Sequence, residues 1–302
     1  MAFLRRGLAR SSLPADGPAR AAVARALNHI TYELIPLKNV HDQAAFLPGG
    51  ATVSVTASPA KGLEATIELA ATLEALGLRV IPHLSARMVR DRAHLRELLA
   101  RLADLGIDRS FVVGGDADEP GEFLDGLSLL RAIADLGNGP RHIGVPCYPQ
   151  GHPDIPDATL LAALRNKAPF AEYMTTQVCF DARAIAGFIA ARRAEGIELG
   201  VKIGVPGVAE IPKLLTISAR IGVRDSGRFL SKNARFVGQL LTSGGIYRPT
   251  GLLEKLAPVL DDPAADVVGL HLYTFNQVEA TEAWRRAYRG SLEPAAAAGT
   301  RS

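Results

Sequence analysis

The chain has 302 residues, with 34 Lys and Arg against 31 Asp and Glu, for a formal charge of +3. Hydrophobic residues make up 48% and charged residues 22%, an ordinary globular composition that argues against disorder and supplies a full core in one large domain or two. No apolar run approaches a membrane span, so small a charge gives no case for nucleic acid or a membrane surface, and two cysteines, Cys147 and Cys179, fit a reducing cytoplasm.

Residues 1–27 are Arg-rich and poor in acids, like a transit peptide in composition. The plainer reading is preferred: a frayed terminus leading into a helix at 17–27, so that 1–28 form an N-terminal helical extension. Short β-rich apolar runs follow at 29–35, 52–57, 78–83, 110–114, 142–147, 173–179, 199–204 and 266–273. Between them lie segments of helical period at 61–76, 89–105, 122–136, 157–168, 181–195 and 208–221. Most of the runs lack clean alternation, as strands buried on both faces do. Gly77, Gly106, Gly137 and Gly196 stand at helix ends, and Asp157 and Asp181 are candidate N-caps.

Eight βα units in about 250 residues predict an α/β fold, a (β/α)8 TIM barrel, as a single catalytic domain over 29–290. Residues 222–262 are expected to add extra helices between strands seven and eight. An open doubly wound sheet is the runner-up, and the Ala/Gly/Ser/Thr-rich tail 291–302 reads as disordered.

A barrel places its working groups at the C-terminal ends of the strands. Polar residues do gather there: Glu33, Thr56, His83, Gly115 with Asp116, Tyr148 with His152, Gln177, and His271 with Tyr273. Glu33 lies in an apolar strand, where desolvation should raise its pKa and suit it to donate a proton; the alternative is a structural ion pair with Arg or Lys. Asp116 follows two glycines that let the backbone turn tightly toward a ligand, although GGDADEPGE also reads as a plain turn. His83 and His152 could bond a cofactor or finish a strand. Gln177 could read the edge of a heterocycle or satisfy a neighbouring loop. The acids at 116–122 lack metal-loop spacing and no zinc motif occurs, so no metal is expected. Neither a Gly-x-Gly-x-x-Gly after a strand nor a P-loop is present.

Eight segments in register, YELIP, VSVTASPA, PHLSA, VVGGD, CYPQGHPD, TTQVCF, KIGVPGVAEI and LHLYTFN, resemble the methylenetetrahydrofolate reductase family over roughly 29–288. The resemblance implies an oxidoreductase of one-carbon metabolism, linked to methionine biosynthesis, that delivers hydride from NAD(P)H to methylenetetrahydrofolate. In typical members the electrons pass through FAD. Glu33 matches the family's general acid, Asp116 its pterin-contacting aspartate and Gln177 its pterin-contacting glutamine; Tyr273 is counted with the folate contacts. Thr56, His83, Gly115, Tyr148, His152 and Arg165 fall at cofactor-lining positions.

The sequence also departs from that pattern. Gly114 stands where typical members have Arg, and Ala162, Arg165 and Asn166 stand where they have Asn and an Arg-Lys pair. Missing cations should weaken a flavin's anchorage. VSVTASPAKG with VVGGDA is similar to the flavin-independent branch, where nicotinamide reduces folate directly, and this branch is the one favoured. A cytoplasmic homo-oligomer is expected. The competing reading is a folate-binding protein of the same fold without turnover. A third, an unrelated lyase, would need a Schiff-base lysine, for which Lys202 is the candidate.

Overall fold

The structure, a computed structural model, describes residues 12–13, 17–210 and 245–293. The first half runs α1 (Pro18–Ala26), β1 (Ile30–Leu34), α2 (Val40–Ala44), β2 (Thr52–Val55), α3 (Gly62–Ala75), β3 (Arg79–Ser85), α4 (Arg92–Asp104), β4 (Arg109–Val113) and α5 (Gly126–Leu136). Then come β5 (His142–Cys147), α6 (Asp157–Lys167), β6 (Tyr173–Thr176), α7 (Ala182–Ala194), β7 (Gly200–Pro206), β8 (Ala209–Glu210), β9 (Ile246–Tyr247), α8 (Thr250–Asp261), β10 (Val267–Tyr273) and α9 (Val278–Leu292). Eight strands close into a barrel in the order β1-β10-β7-β6-β5-β4-β3-β2, every neighbouring pair parallel. This is the predicted (β/α)8 architecture.

The main core is the shell between strands and helices. Val53, Val80, Val112, Val145, Val201 and Leu270 are among the strand residues buried in it, against helix residues such as Ile67, Leu98 and Leu129. Alternate strand residues face the barrel interior instead, and there the lining is unusually polar. Glu33, His83, Ser85, Thr175 and His271 are all buried. Two glycines admit two tyrosines: a Cβ on Gly144 would overlap the Tyr173 ring, and one on Gly204 would overlap the Thr176 carbonyl oxygen and crowd the Tyr273 ring.

The helix boundaries follow local chemistry. Asp91, Asp125 and Asp181 cap α4, α5 and α7 by accepting backbone N–H bonds. Gly77, Gly106, Gly137 and Gly196 have φ of +71° to +76°, the left-handed turn that releases the chain toward the next strand. Asp157 is not a cap: it is the first residue of α6, behind Pro156, and makes no capping bond.

Two further expectations need correction. The segment 208–221 does not begin as a helix. The Gly207 N–H is still bonded to the Tyr273 carbonyl at 2.9 Å, and Ala209–Glu210 then pair antiparallel with Ile246–Tyr247. Its remainder, and most of the proposed helices at 222–262, lie outside the described residues, where α8 is the described part. Ser291 and Leu292 belong to α9 rather than to a tail, because Leu292 is buried in the core; residues 294–302 lie outside the description, as do 1–11 and 14–16. Of the N-terminal extension, α1 rests on α8 and α9 through Arg25–Asp261 at 3.0 Å and Arg20 Nε to the Leu292 carbonyl at 2.9 Å.

Candidate active site

Strand β1 carries Glu33 to the C-terminal mouth. Register pairs it with Tyr273 on one side and Ser54 on the other. Its side chain is 10% exposed, and Glu33 Oε2 lies 3.3 Å from His271 Nε2. Among the described residues that histidine is its side-chain partner; neither Lys nor Arg pairs with it. The expected alternative, a structural ion pair with Arg or Lys, is not found among the described residues.

The loops above Glu33 are bracketed. Thr274 Oγ1 donates to the Glu33 carbonyl. Asn276 (φ +52°) accepts from the Ile35 N–H at 2.9 Å and donates back to the Ile35 carbonyl at 2.8 Å. Gln43 Oε1 accepts from the Val278 N–H at 2.7 Å. These bonds join the segment after β1 to the segment after β10, so the barrel's first and last strands are fixed relative to each other at the mouth.

The predicted residues are distributed as follows. His83 is buried with Nε2 2.6 Å from Ser54 Oγ. Burial, with the charge of His271 across the barrel, pushes its pKa down to about 3, so it is a neutral hydrogen-bonding group at ordinary pH. Tyr273 donates its hydroxyl to the Thr176 carbonyl at 3.1 Å; burial, then Glu33, raises its pKa well above that of a free phenol. The Tyr273 ring, packed edge-on against His271, is what remains for a ligand. Gln177 is half-buried just beyond β6, with its Oε1 accepting from the Val178 N–H. Thr56 is half-buried, and its carbonyl accepts from Thr66.

Asp116 is exposed on the loop after β4 and makes no side-chain hydrogen bond or ion pair among the described residues. Gly115 before it has φ +87°, and a Cβ there would overlap Ser85 Oγ. Ser85 Oγ is buried and has no hydrogen-bond partner among the described residues.

Tyr148 and His152 pack edge to face beyond β5, 5.4 Å between ring centres. Beside them lies a cavity of about 470 Å³, lined by Cys147, Tyr148, Leu161, Leu164, Lys167 and Phe188 among others. Burial lowers the pKa of Lys167 and raises that of Tyr148. Arg165 does not join them. It is exposed with Ala162 and Asn166 on the opposite side of α6. A tightly held flavin would need several phosphate and ribityl donors there, and one exposed guanidinium beside an alanine does not fit that need.

Glu33, His83 and Asp116 stand out in the sequence, but the side chains that Glu33 and His83 meet do not. Nothing in the sequence pairs Ser54 with His83. His271 is among the strand-end polar residues of the sequence, and its pairing with Glu33 could have been found, because it sits one inward position below Tyr273 and so faces Glu33's side of the barrel.

A closed parallel barrel, with a buried acid at its C-terminal mouth and polar groups on the surrounding strand ends, defines the class of (β/α)8 enzymes. The methylenetetrahydrofolate reductase family model matches residues 37–286, and the chain belongs to that family. Among solved structures, one described as an apo-form deoxyribose-phosphate aldolase from Toxoplasma gondii ME49 is 14% identical, with 90% of this chain and 98% of that chain covered and a TM-score of 0.45. A class V chitinase mutant from Cycas revoluta in complex with (GlcNAc)3 is 7% identical, with 88% and 100% covered and a TM-score of 0.49. Likenesses this distant carry no argument about the reaction. Family membership supports a methylenetetrahydrofolate reductase-type function on a small folate substrate. No helix among the described residues is long and apolar enough to cross a membrane.

Proposed function

We propose that the protein reduces methylenetetrahydrofolate to methyltetrahydrofolate with hydride taken directly from a reduced nicotinamide. The observation that carries this reading is the Glu33 carboxyl, buried at the barrel mouth beside His271 with no Lys or Arg partner among the described residues. A nicotinamide supplies the hydride. The remaining work falls to the chain's own residues.

Glu33 gives a proton to the folate nitrogen that leaves when the five-membered ring opens. Ring opening turns the exocyclic carbon into an iminium, the species that accepts hydride. Asp116, unpaired by any cation among the described residues, lends negative charge to that forming cation, an effect of the kind that lowers barriers by about 3–4 kcal/mol when preorganised. Gln177 holds the pterin edge, and the Tyr273 ring supports the face. His83, neutral and tied to Ser54, is a fixed wall with Thr56, Gly115, Tyr148 and His152 on the nicotinamide side. Direct transfer, rather than relay through FAD, is favoured because Ala162, Arg165 and Asn166 make a poor flavin cradle.

The test is the absorption spectrum of the purified protein together with turnover of methylenetetrahydrofolate by NADH and NADPH, with and without added FAD. Expected are no flavin band near 450 nm (roughly, as for any oxidised flavin) and turnover independent of FAD. A stoichiometric flavin band would overturn direct transfer. No turnover with either nicotinamide, despite folate binding, would favour the non-catalytic reading.

A further inference from the structure

We infer that Arg87 is the positioning residue for Asp116, a role that rests on Asp116 acting in the site as proposed above. Asp116 has no side-chain partner of its own among the described residues, so its carboxylate is aimed solely by the backbone that carries it. That backbone is held from outside its own strand. Arg87 lies in a short turn, Ala86–Met88, that follows β3. Its amide donates to the Gly114 carbonyl at 3.0 Å, and its carbonyl accepts from the Gly121 N–H at 3.0 Å. Its guanidinium reaches between these two points, with Nε donating to the Ala117 carbonyl at 2.7 Å and Nη2 to the Asp118 carbonyl at 3.1 Å. One residue therefore ties down the loop before Asp116, immediately after it, and at its far end.

The surroundings make this tether specific. Among the described residues Arg87 forms no ion pair with a carboxylate, so its guanidinium is free to serve the two carbonyls. Hydrogen bonds from a charged donor are roughly twice as strong as neutral ones. The loop bears Asp116, Asp118 and Glu119, which repel one another, and a cation seated beneath them offsets that repulsion. The loop also closes against bare backbone: a Cβ on Gly121 would overlap the Val89 carbonyl oxygen, and one on Gly115 would overlap Ser85 Oγ. Two glycines allow the approach and one arginine fixes it. The strand-four loop itself has glycine, Gly114, two positions before Asp116; the guanidinium arrives instead from strand three.

A double-mutant cycle distinguishes positioning from plain structural support. The variants are Arg87→Met, Asp116→Asn and both together. The readouts are the Kd for methyltetrahydrofolate by calorimetry, the KM for the nicotinamide, and the melting temperature. Arg87→Met should weaken folate binding about tenfold, the scale of losing a charge-assisted bond, while leaving the nicotinamide KM unchanged. In the Asp116→Asn background the same change should add less than about twofold, as coupled residues do. Arg87→Lys, which keeps the charge but cannot span both carbonyls, should fall between, and it carries the comparison if Arg87→Met does not fold. Full additivity, or an unchanged folate Kd in both Arg87 variants while Asp116→Asn binds weakly, would overturn the assignment. If Asp116→Asn itself binds folate normally, the fault lies in the proposed role of Asp116, and the inference about Arg87 falls with it.

Discussion

Glu33 and His83 show how one barrel interior gives two polar residues different surroundings. Glu33 reaches the mouth; as the proposed proton donor, its replacement with Gln should lower kcat by roughly 10²- to 10⁴-fold, the range of general acid catalysis. Methyltetrahydrofolate binding, measured by calorimetry, should survive in that variant. Near-normal turnover in Glu33→Gln would remove it as the acid. His83 is held neutral by burial, with a folded pKa of about 3 against an ordinary value of 6.5. Between those values the unfolded chain binds a proton that the folded chain refuses. His83 therefore leaves stability intact above about pH 6.5 and erodes it as pH falls toward 3, by up to about 1.4 kcal/mol per pH unit. His83→Gln should flatten the acid limb of a denaturation curve taken from pH 7 to 4; an unchanged limb would show that the ring does titrate when folded.

At the scale of elements, the N-caps are the simplest levers. Asp181 accepts from the Arg183 N–H at 2.9 Å and the Ala184 N–H at 3.3 Å, and Asp181→Ala should cost about 1 kcal/mol in urea unfolding. Gly204→Ala should cost more, about 1–3 kcal/mol, because the new methyl meets the Thr176 carbonyl and the Tyr273 ring. The strands and helices were legible in the sequence because burial on both faces and helical period leave marks in residue type. Asp181 was legible as a cap, whereas Asp157 was misread because Pro156 takes the cap position and Asp157 is already the first residue of α6. The strand at Ala209–Glu210 was not legible: its pairing partner lies at Ile246–Tyr247, and long-range pairing has no local signature. The same limit hid the partners of the site. Glu33 and Asp116 stand out by their settings, but His271 and Arg87 reach them across space.

Taken whole, the molecule carries charge where a barrel ordinarily carries apolar layers. Lys202 sits below the mouth, with Nζ 3.3 Å from Thr31 Oγ1 and 3.9 Å from the centre of the Tyr173 ring. Burial brings its pKa down to about 8. The unfolded lysine, at 10.5, holds its proton more tightly, so this cation weakens the fold most below pH 8, and the penalty fades as pH rises from 8 to 10.5. Lys202→Met should raise stability at pH 7 by about 1–2 kcal/mol, less than the full shift implies because the ring contact is lost with the charge. A calorimetric melt at pH 7 and pH 10 checks both the gain and its disappearance at the higher pH.

The Asn276 bracket has a consequence for how the cylinder opens. Any breathing motion that splits the seam between first and last strands must first release the amide of Ile35, so that proton should exchange with heavy water among the slowest outside the strands. Asn276→Ala would unlatch the seam without touching the acid, and deuterium uptake at Ile35 would report how far the molecule relies on that clasp to keep its mouth in shape.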